Sequence, residues 1–587
     1  TIETTGLNRA RVKEITDLYE KIAGLAEKYR IELHVLYEYA FFLYKQRQYP
    51  SGIKKAERLQ LYYQLDTTIS QKERGDLLNF LGELYGNNRT LKKAENCFQQ
   101  ALEIYRRLAK DNPETYEADI AGTYNNLAFL LNSINQKLEA EKLYREALEI
   151  RRRLVKDNPD AYEAAVAMSC NNLAHLLNSI NQKQEAEQLY REALEIARHL
   201  AKDNPAAYEA DVALACNNLA GLLDSINQKT EAEQLYRDAL KIRRRLAKDN
   251  PQAYESDVAN SCNNLALLLD SIDQKSEAEQ LYRDALKIRR RLAKDNPQAY
   301  ESDVANSCNN LALLLDSIDQ KSEAEKLYRE TLKIQRRLAK DNPQVYESDV
   351  AHTCNNLAGL LDSINQKTEA KMLFRESLEI YCRMAKDSPE AYEADVANSC
   401  SNLALLLDSI NQKSEAEKLF RKALEIYRRM VKDSPNTYES YVANTCNKLA
   451  CLLYSINQKP EAEKLLRESL EIYHRLVKDN PEVYEADKAM SCNNLAVLLY
   501  SINQKSEAEK LFQEAFKIYR HLAEKHPDVY EIELADNYLA YATFMKHVTI
   551  NEKIKSKEYF EKALKIYKKY PNQKKTVQMI RNILKQF

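Results

Sequence analysis

Residues 254–299 read YESDVANSCNNLALLLDSIDQKSEAEQLYRDALKIRRRLAKDNPQA, and this stretch decides the fold. At about 100° per residue, Ser261, Cys262, Leu265, Leu268, Leu269 and Ile272 share one helical face. Asn260, Asn263, Asn264, Leu267, Asp270 and Ser271 share the opposite one. In a second helix Ala278, Leu281, Tyr282, Ala285, Ile288 and Leu292 recur at spacings of three and four, an apolar stripe on an otherwise charged surface. Glu279 and Arg283 stand four apart in the favourable order for a helix-surface ion pair. Asp273 marks the end of the first helix, since Asp and Asn tolerate the left-handed conformation that otherwise calls for glycine. After the second helix, Asp295 or Asn296 suits the cap of the next helix and Pro297 its first turn.

The same text recurs. The string Asn-Asn-Leu-Ala begins at Asn125, Asn171, Asn217, Asn263, Asn309, Asn355 and Asn493, with near-copies at Ser401 and Asn447, and each step is 46 residues (171 − 125 = 46). One helix pair cannot bury its own apolar faces, but stacked neighbours can. The expected fold is all-α: a right-handed solenoid of about 12 antiparallel helix pairs, nine of them with the 46-residue period. Residues 1–30 are expected to form an N-terminal capping helix, 31–114 atypical repeats and 115–528 the nine regular repeats. A divergent last repeat over 529–572 and a C-terminal capping helix over 573–587 complete the array.

Composition agrees. The 587 residues include 9 Gly and 13 Pro, so there is little turn or sheet punctuation. Charged residues make up 30% but sum to −1, without the basic surplus a nucleic-acid binder needs. No stretch approaches the ~18–20 apolar residues of a membrane span. We therefore expect neither nucleic acid nor membrane as partner, and a cytoplasmic location.

In its pattern of Leu265, Ala266, Ala278, Tyr282 and Ala285 the repeat resembles the tetratricopeptide family. Leu81, Gly82, Tyr85, Ala94, Phe98 and Ala101 match that family still better, in an earlier and shorter-linked pair. The Asn-Asn-Leu-Ala string and the long Arg-rich second helix are similar to the kinesin-light-chain-type subgroup common in bacterial signalling proteins. Three departures stand out: the longer period, Cys262 in place of an early aromatic, and the closing proline displaced to Pro297. The resemblance implies a non-enzymatic adaptor whose first helices line a concave groove that holds a protein or extended peptide. Similar bacterial arrays are fused to nucleotide-hydrolysing, protease-like or other effector domains. The alternative is therefore a sensor or regulatory arm of a larger effector protein. The start at Thr1 rather than methionine fits that alternative, with the N-terminal end as the point of attachment.

Catalytic and metal chemistry find little support. Cys170, Cys216, Cys262, Cys308, Cys354, Cys400, Cys446 and Cys492 occupy one repeat position. Equivalent residues lie one helix layer apart, roughly 8–10 Å, too far for a disulfide or shared zinc. They read as small core residues, and their use as free thiols fits a reducing compartment. The eight histidines are scattered, and no phosphate loop or nucleophile elbow occurs. No enzyme activity, cofactor or metal is expected.

The groove candidates lie on the face opposite the core. The Asn pairs Asn171/Asn172, Asn217/Asn218, Asn263/Asn264, Asn309/Asn310 and Asn355/Asn356 offer donors and acceptors for an extended peptide backbone, or one member of each bridges adjacent first helices. The Asn260 position varies: Gly122, Met168, Leu214, Asn306, His352, Asn398, Asn444 and Met490. So does the Leu267 position: Phe129, His175, Gly221, Leu313, Gly359, Leu405, Cys451 and Val497. Variation on one face is expected if that face reads a partner. Asp224, Asp270, Asp316, Asp362 and Asp408 form a run ending in Tyr454 and Tyr500. These aspartates either pair with Lys275-type lysines or form an acidic stripe for a basic segment of the partner. The arginine runs Arg151–Arg153, Arg243–Arg245 and Arg289–Arg291 lie toward the C-termini of second helices, where cations complement the helix dipole or, alternatively, hold an anionic ligand.

Overall fold

The computed structural model describes residues 14–21, 34–66, 68–545, 550–570, 573–585 and 587. The N-terminal capping helix expected over residues 1–30 is described only at 14–21, where it is helical; the rest of that expectation lies outside the described residues. Among the described residues every regular element is a helix. In each regular repeat a first helix runs from a proline to a serine, as in Pro251–Ser271, and a second starts at a lysine and ends at an aspartate, as in Lys275–Asp295, or, in the last repeat, at Lys525.

Local chemistry sets these boundaries. Asp273 adopts φ 61°, and the Asn or Asp at the same place in the other regular repeats behaves alike. Its N–H reaches Asp270 O at 3.1 Å while Gln274 N–H reaches Leu269 O at 2.8 Å, so the last carbonyls of the first helix are satisfied by a left-handed cap. At the other end Asn296 Oδ1 accepts from Ala299 N–H at 3.3 Å, and Pro297 occupies the position where no amide is needed.

From His34–Lys45 to Lys367–Asp387, and again from Lys413–Asp433 to the C-terminal helix, each helix packs on its predecessor and successor, and successive first helices meet more closely than successive second helices. The first helices thus line the inner side and the second helices the outer. Cys262, Leu265, Ala266, Leu268 and Leu269 are buried against Ala278, Leu281, Tyr282, Ala285 and Leu286. Each buried leucine contributes about 1.5–3 kcal/mol. Ile288, expected in this core, is only half-buried, and Arg289 is buried beside it.

The chain divides into two compact parts, Thr1–Tyr392 and Glu393–Phe587. In the first, the short N-terminal pairs start with His34–Lys45 and Tyr49–Leu65, then Gln71–Asn87 and Leu91–Asp111. The loop at Gln46 meets the start of Pro297–Ser317, 250 residues later, through Asn296. The second part ends in Pro527–Met545, Ile550–Tyr567 and Lys574–Leu584, the last burying Ile580.

Candidate functional site

On the inner face of the first part, Asn260, Asn264, Leu267, Asn306, Leu313 and His352 are exposed. Leu267 is 61% exposed and Phe129, at the same position three repeats earlier, 69%. Met168 and Leu214 are also open. An apolar side chain this exposed on an inner face is available for contact.

The first asparagine of each pair fits the second of the two expected roles better than the first. Asn217 and Asn263 are buried, and Asn171, Asn309 and Asn355 are half-buried. Asn217 donates to Ala213 O and to Ser261 Oγ of the next repeat, at 3.2 and 3.3 Å. The second asparagine of one repeat donates to the first of the repeat before: Asn172 to Asn125 and Asn218 to Asn171 at 3.3 Å, Asn356 to Asn309 at 3.1 Å. These bonds lace successive first helices together. Asn217 and Asn263 are therefore corrected from open groove residues to buried ones, Asn217 bridging to the next first helix and Asn263 held by the Arg289 guanidinium of its own repeat. Asn264 stays exposed, and Asn172, Asn218, Asn310 and Asn356 are half-exposed beside the apolar positions.

The arginine runs have specific partners as well. The three consecutive arginines go to three places. Arg289 is buried and donates to Asp303 O, Ser307 Oγ and Asn260 Oδ1 at 3.1, 2.6 and 2.6 Å. Asn263, its amide orientation assigned from the bonding pattern, accepts from the same guanidinium at 2.9 Å. Arg290 pairs with Glu330 of the next repeat at 2.8 Å, and Arg291 pairs with Glu255 of its own. Specific partners, beyond the helix dipole, account for these side chains.

The aspartate run divides by its turn residue. Where the turn is Asn227 or Asn365, the following lysine pairs with Asp224 or Asp362. Where the turn is Asp273 or Asp319, the lysine is drawn to it instead, at 3.9 and 3.7 Å. Asp270 and Asp316 then make no ion pair among the described residues. Burial raises both carboxyls above the ordinary aspartate range, and Lys275 and Lys321 offset this in part. In the second part, Asp408 is half-buried, while Tyr454 and Tyr500 carry Lys459 and Lys505 over their rings at 6.0 and 5.7 Å.

The outer face is a lattice of ion pairs. Arg283 holds Glu279 of its own helix at 2.8 Å and Glu323 of the next repeat at 2.9 Å. Arg145–Glu185, Arg191–Glu231, Arg237–Glu277 and Arg329–Glu369 repeat the link in the first part, and Arg421–Glu461 and Arg467–Glu507 in the second. A cleft of about 760 Å³ between second helices is lined by Arg283, Arg290 and Glu323, with Cys262 among its walls. Burial pushes the Cys308, Cys354 and Cys446 thiols up to about 12, so these repeat cysteines are poor nucleophiles. Among the described residues no three metal-ligating side chains converge.

With this geometry in hand, comparison with known proteins is specific. The sequence profile of the tetratricopeptide repeat matches ten segments: 75–114, 120–160, 166–206, 212–252, 258–298, 304–344, 350–390, 396–436, 442–482 and 489–528. The chain belongs to the tetratricopeptide repeat family. No curated protein matches it. Among solved structures, BtubC (BKLC) from P. vanneervenii is 26% identical, covering 43% of this chain and 92% of its own, with TM-score 0.35. The apo form of RapI is 16% identical (69% of this chain, 98% of its own, TM-score 0.45). Yeast Tom70 is 14% identical (90% and 99%, TM-score 0.39).

As a tetratricopeptide array the chain is in general terms a protein-interaction scaffold. The profile begins one pair before the nine regular repeats, on the shorter-linked pair around Leu81 and Phe98. No helix among the described residues is long and apolar enough to cross a membrane. Sequence reading missed a second acidic column at the start of the first helices: Asp119, Asp211, Asp257, Asp303 and Asp349. The recurring Asp-Val at that position was the signal. It also missed Arg47 and Arg89, whose partners lie far along the chain.

Proposed function

We propose that the inner first-helix face receives a protein or extended peptide segment, and that the segment carries basic residues. What supports this reading is a contrast in partnering. Outer charges repeat the same ion pairs layer after layer, whereas Leu267, Leu313 and Asn264 stand exposed on an inner face whose residues change from repeat to repeat. Asp270 and Asp316, without ion pairs among the described residues, supply negative charge beside them. Asn172, Asn218, Asn310 and Asn356 can bond to a ligand backbone as well as to their neighbours. Tyr454 and Tyr500, with Asp408, offer a more aromatic surface of the second part. We assign the chain no catalytic step, and the buried free cysteines favour a reducing compartment such as the cytoplasm.

The test is affinity capture on the immobilised chain beside a variant carrying Asn264→Ala, Leu267→Ala, Asn310→Ala and Leu313→Ala. A partner held by the natural chain and lost by a variant with an unchanged melting curve supports the proposal. Equal retention by both refutes it.

A further inference from the structure

At the left-handed position between paired helices, nine repeats carry Asn or Asp, but residues 47 and 89 are arginine, with φ of 57° and 59°. A long side chain gains nothing from that backbone conformation itself. Its contacts do explain it. Arg47 donates to Ser302 Oγ at 3.2 Å and to the Asp303 carboxylate at 3.4 Å. On one side Gln46 Oε1 accepts from Asn296 Nδ2 at 2.8 Å, and both residues are buried. On the other, Gln48 donates to Gln298 at 2.5 Å. Asn296, Gln298, Ser302 and Asp303 thus receive a Gln-Arg-Gln tip. One repeat later the arrangement recurs: Asn88 exchanges hydrogen bonds with Asn342 and Gln344 at 3.0 and 3.4 Å, and Arg89 lies close enough to stabilise the Asp349 carboxylate.

One repeat earlier stands a third copy. Residues 248–261 and 294–307 both read KDNPQAYESDVANS. The backbones coincide, Asn250 and Asn296 each having φ −137° and ψ 82°. Below each carboxylate lies the same buried guanidinium, Arg243 on Asp257 O at 3.3 Å and Arg289 on Asp303 O at 3.1 Å. The buried arginine does not prevent Asp303 from taking Arg47, so it does not disqualify Asp257. Unlike Asn296, Asn250 is exposed. Among the described residues no side chain bonds to its Nδ2, to Ser256 Oγ or to the Asp257 carboxylate.

We infer that Asn250, Gln252, Ser256 and Asp257 form an arginine receptor for a partner protein, taking a solvent-exposed arginine flanked by amide side chains. This rests on the scaffold reading above and adds the chemistry of one contact. The chain supplies the evidence by seating its own arginine on an identical set of residues.

The probe is the chain's own tip, a fluorescein-labelled peptide of residues 44–50, YKQRQYP, compared with one in which alanine replaces the arginine. Fluorescence anisotropy on the whole chain at low salt should show the arginine peptide binding about tenfold more tightly than the control, as loss of a charge-assisted pair implies. Asp257→Asn should abolish that difference. Asp303→Asn, whose site is already filled by Arg47, should leave it intact. Equal binding of both peptides overturns the inference, as does a difference that survives Asp257→Asn. Arg9 and Arg11 lie outside the described residues, and binding that emerges only when both are changed to alanine also overturns the inference, by assigning the receptor to the chain itself. Peptide failure in a chain whose partner capture still depends on Leu267 and Leu313 removes this receptor and leaves the scaffold proposal standing.

Discussion

The two faces of each helix pair spend their side chains differently. On the outer face Arg237, Arg283 and Arg329 each tie a glutamate of their own helix to one of the next layer. On the inner face the positions of Asn260 and Leu267 vary along the array, and most of the residues there, among them Met168, Leu214, His352 and Leu405, are open to solvent. An array needs the same link at every joint, so a face that holds layers together is periodic. A face that reads a non-repeating partner has no such requirement. Periodicity therefore separates assembly from recognition within one fold.

The largest expected effect breaks the recognition side. Replacing Asn264, Leu267, Asn310 and Leu313 together by alanine should weaken partner binding by about 30-fold or more, if two of them act as central contacts. The melting temperature should move little, because none of the four fills the core. Calorimetric titration beside a melting curve checks both halves.

Arg289 sits between the two faces. Arg289→Ala strands Ser307 and Asn263 and should cost about 1.5–3 kcal/mol in stability, measured by urea unfolding. Next, Arg237→Ala, Arg283→Ala and Arg329→Ala combined should lower stability by about 1–3 kcal/mol, since exposed pairs are worth about 0.2–1 kcal/mol each. Partner affinity should stay within about twofold, as the links lie on the other side. A large loss of affinity without loss of stability would invert the assignment of the faces.

Asp270→Asn with Asp316→Asn should give the smallest change, a loss of about three- to tenfold at low salt that fades as salt screens the charges. The pH dependence has a definite sign. Burial holds both carboxyls above the ordinary value of about 3.9. On acidification they take up protons earlier than free aspartates, so attraction for a basic segment is lost at a correspondingly higher pH. In the natural chain affinity should fall with pH over that range, and the double variant should lack that component. The same upward shifts mean that these two groups make the fold relatively more stable, not less, as pH falls.

Much of this was legible locally. Asp273 and Asn296 announce their turn and cap because the conformations they favour are set within a few residues, and Leu265, Ala266 and Tyr282 repeat with the helical period. Asn217 reads as open to the groove because a helical wheel knows an inside and an outside but no neighbour along the array, and Ser261 of the next first helix meets its edge. Arg289 looked like a surface cation; its stem passes between two first helices to a carbonyl and a serine hydroxyl that no periodicity reveals. Arg47 was illegible, since the groups that justify its backbone conformation lie about 250 residues away.

The most direct test places a photocrosslinking residue at Leu267 or Leu313 on the inner face, and in separate chains at Lys287 or Lys333 on the outer face, all four exposed. After irradiation with the captured partner, adducts should form from the two inner positions and not from the two outer ones. Adducts confined to Lys287 and Lys333 would contradict the division of labour between the faces.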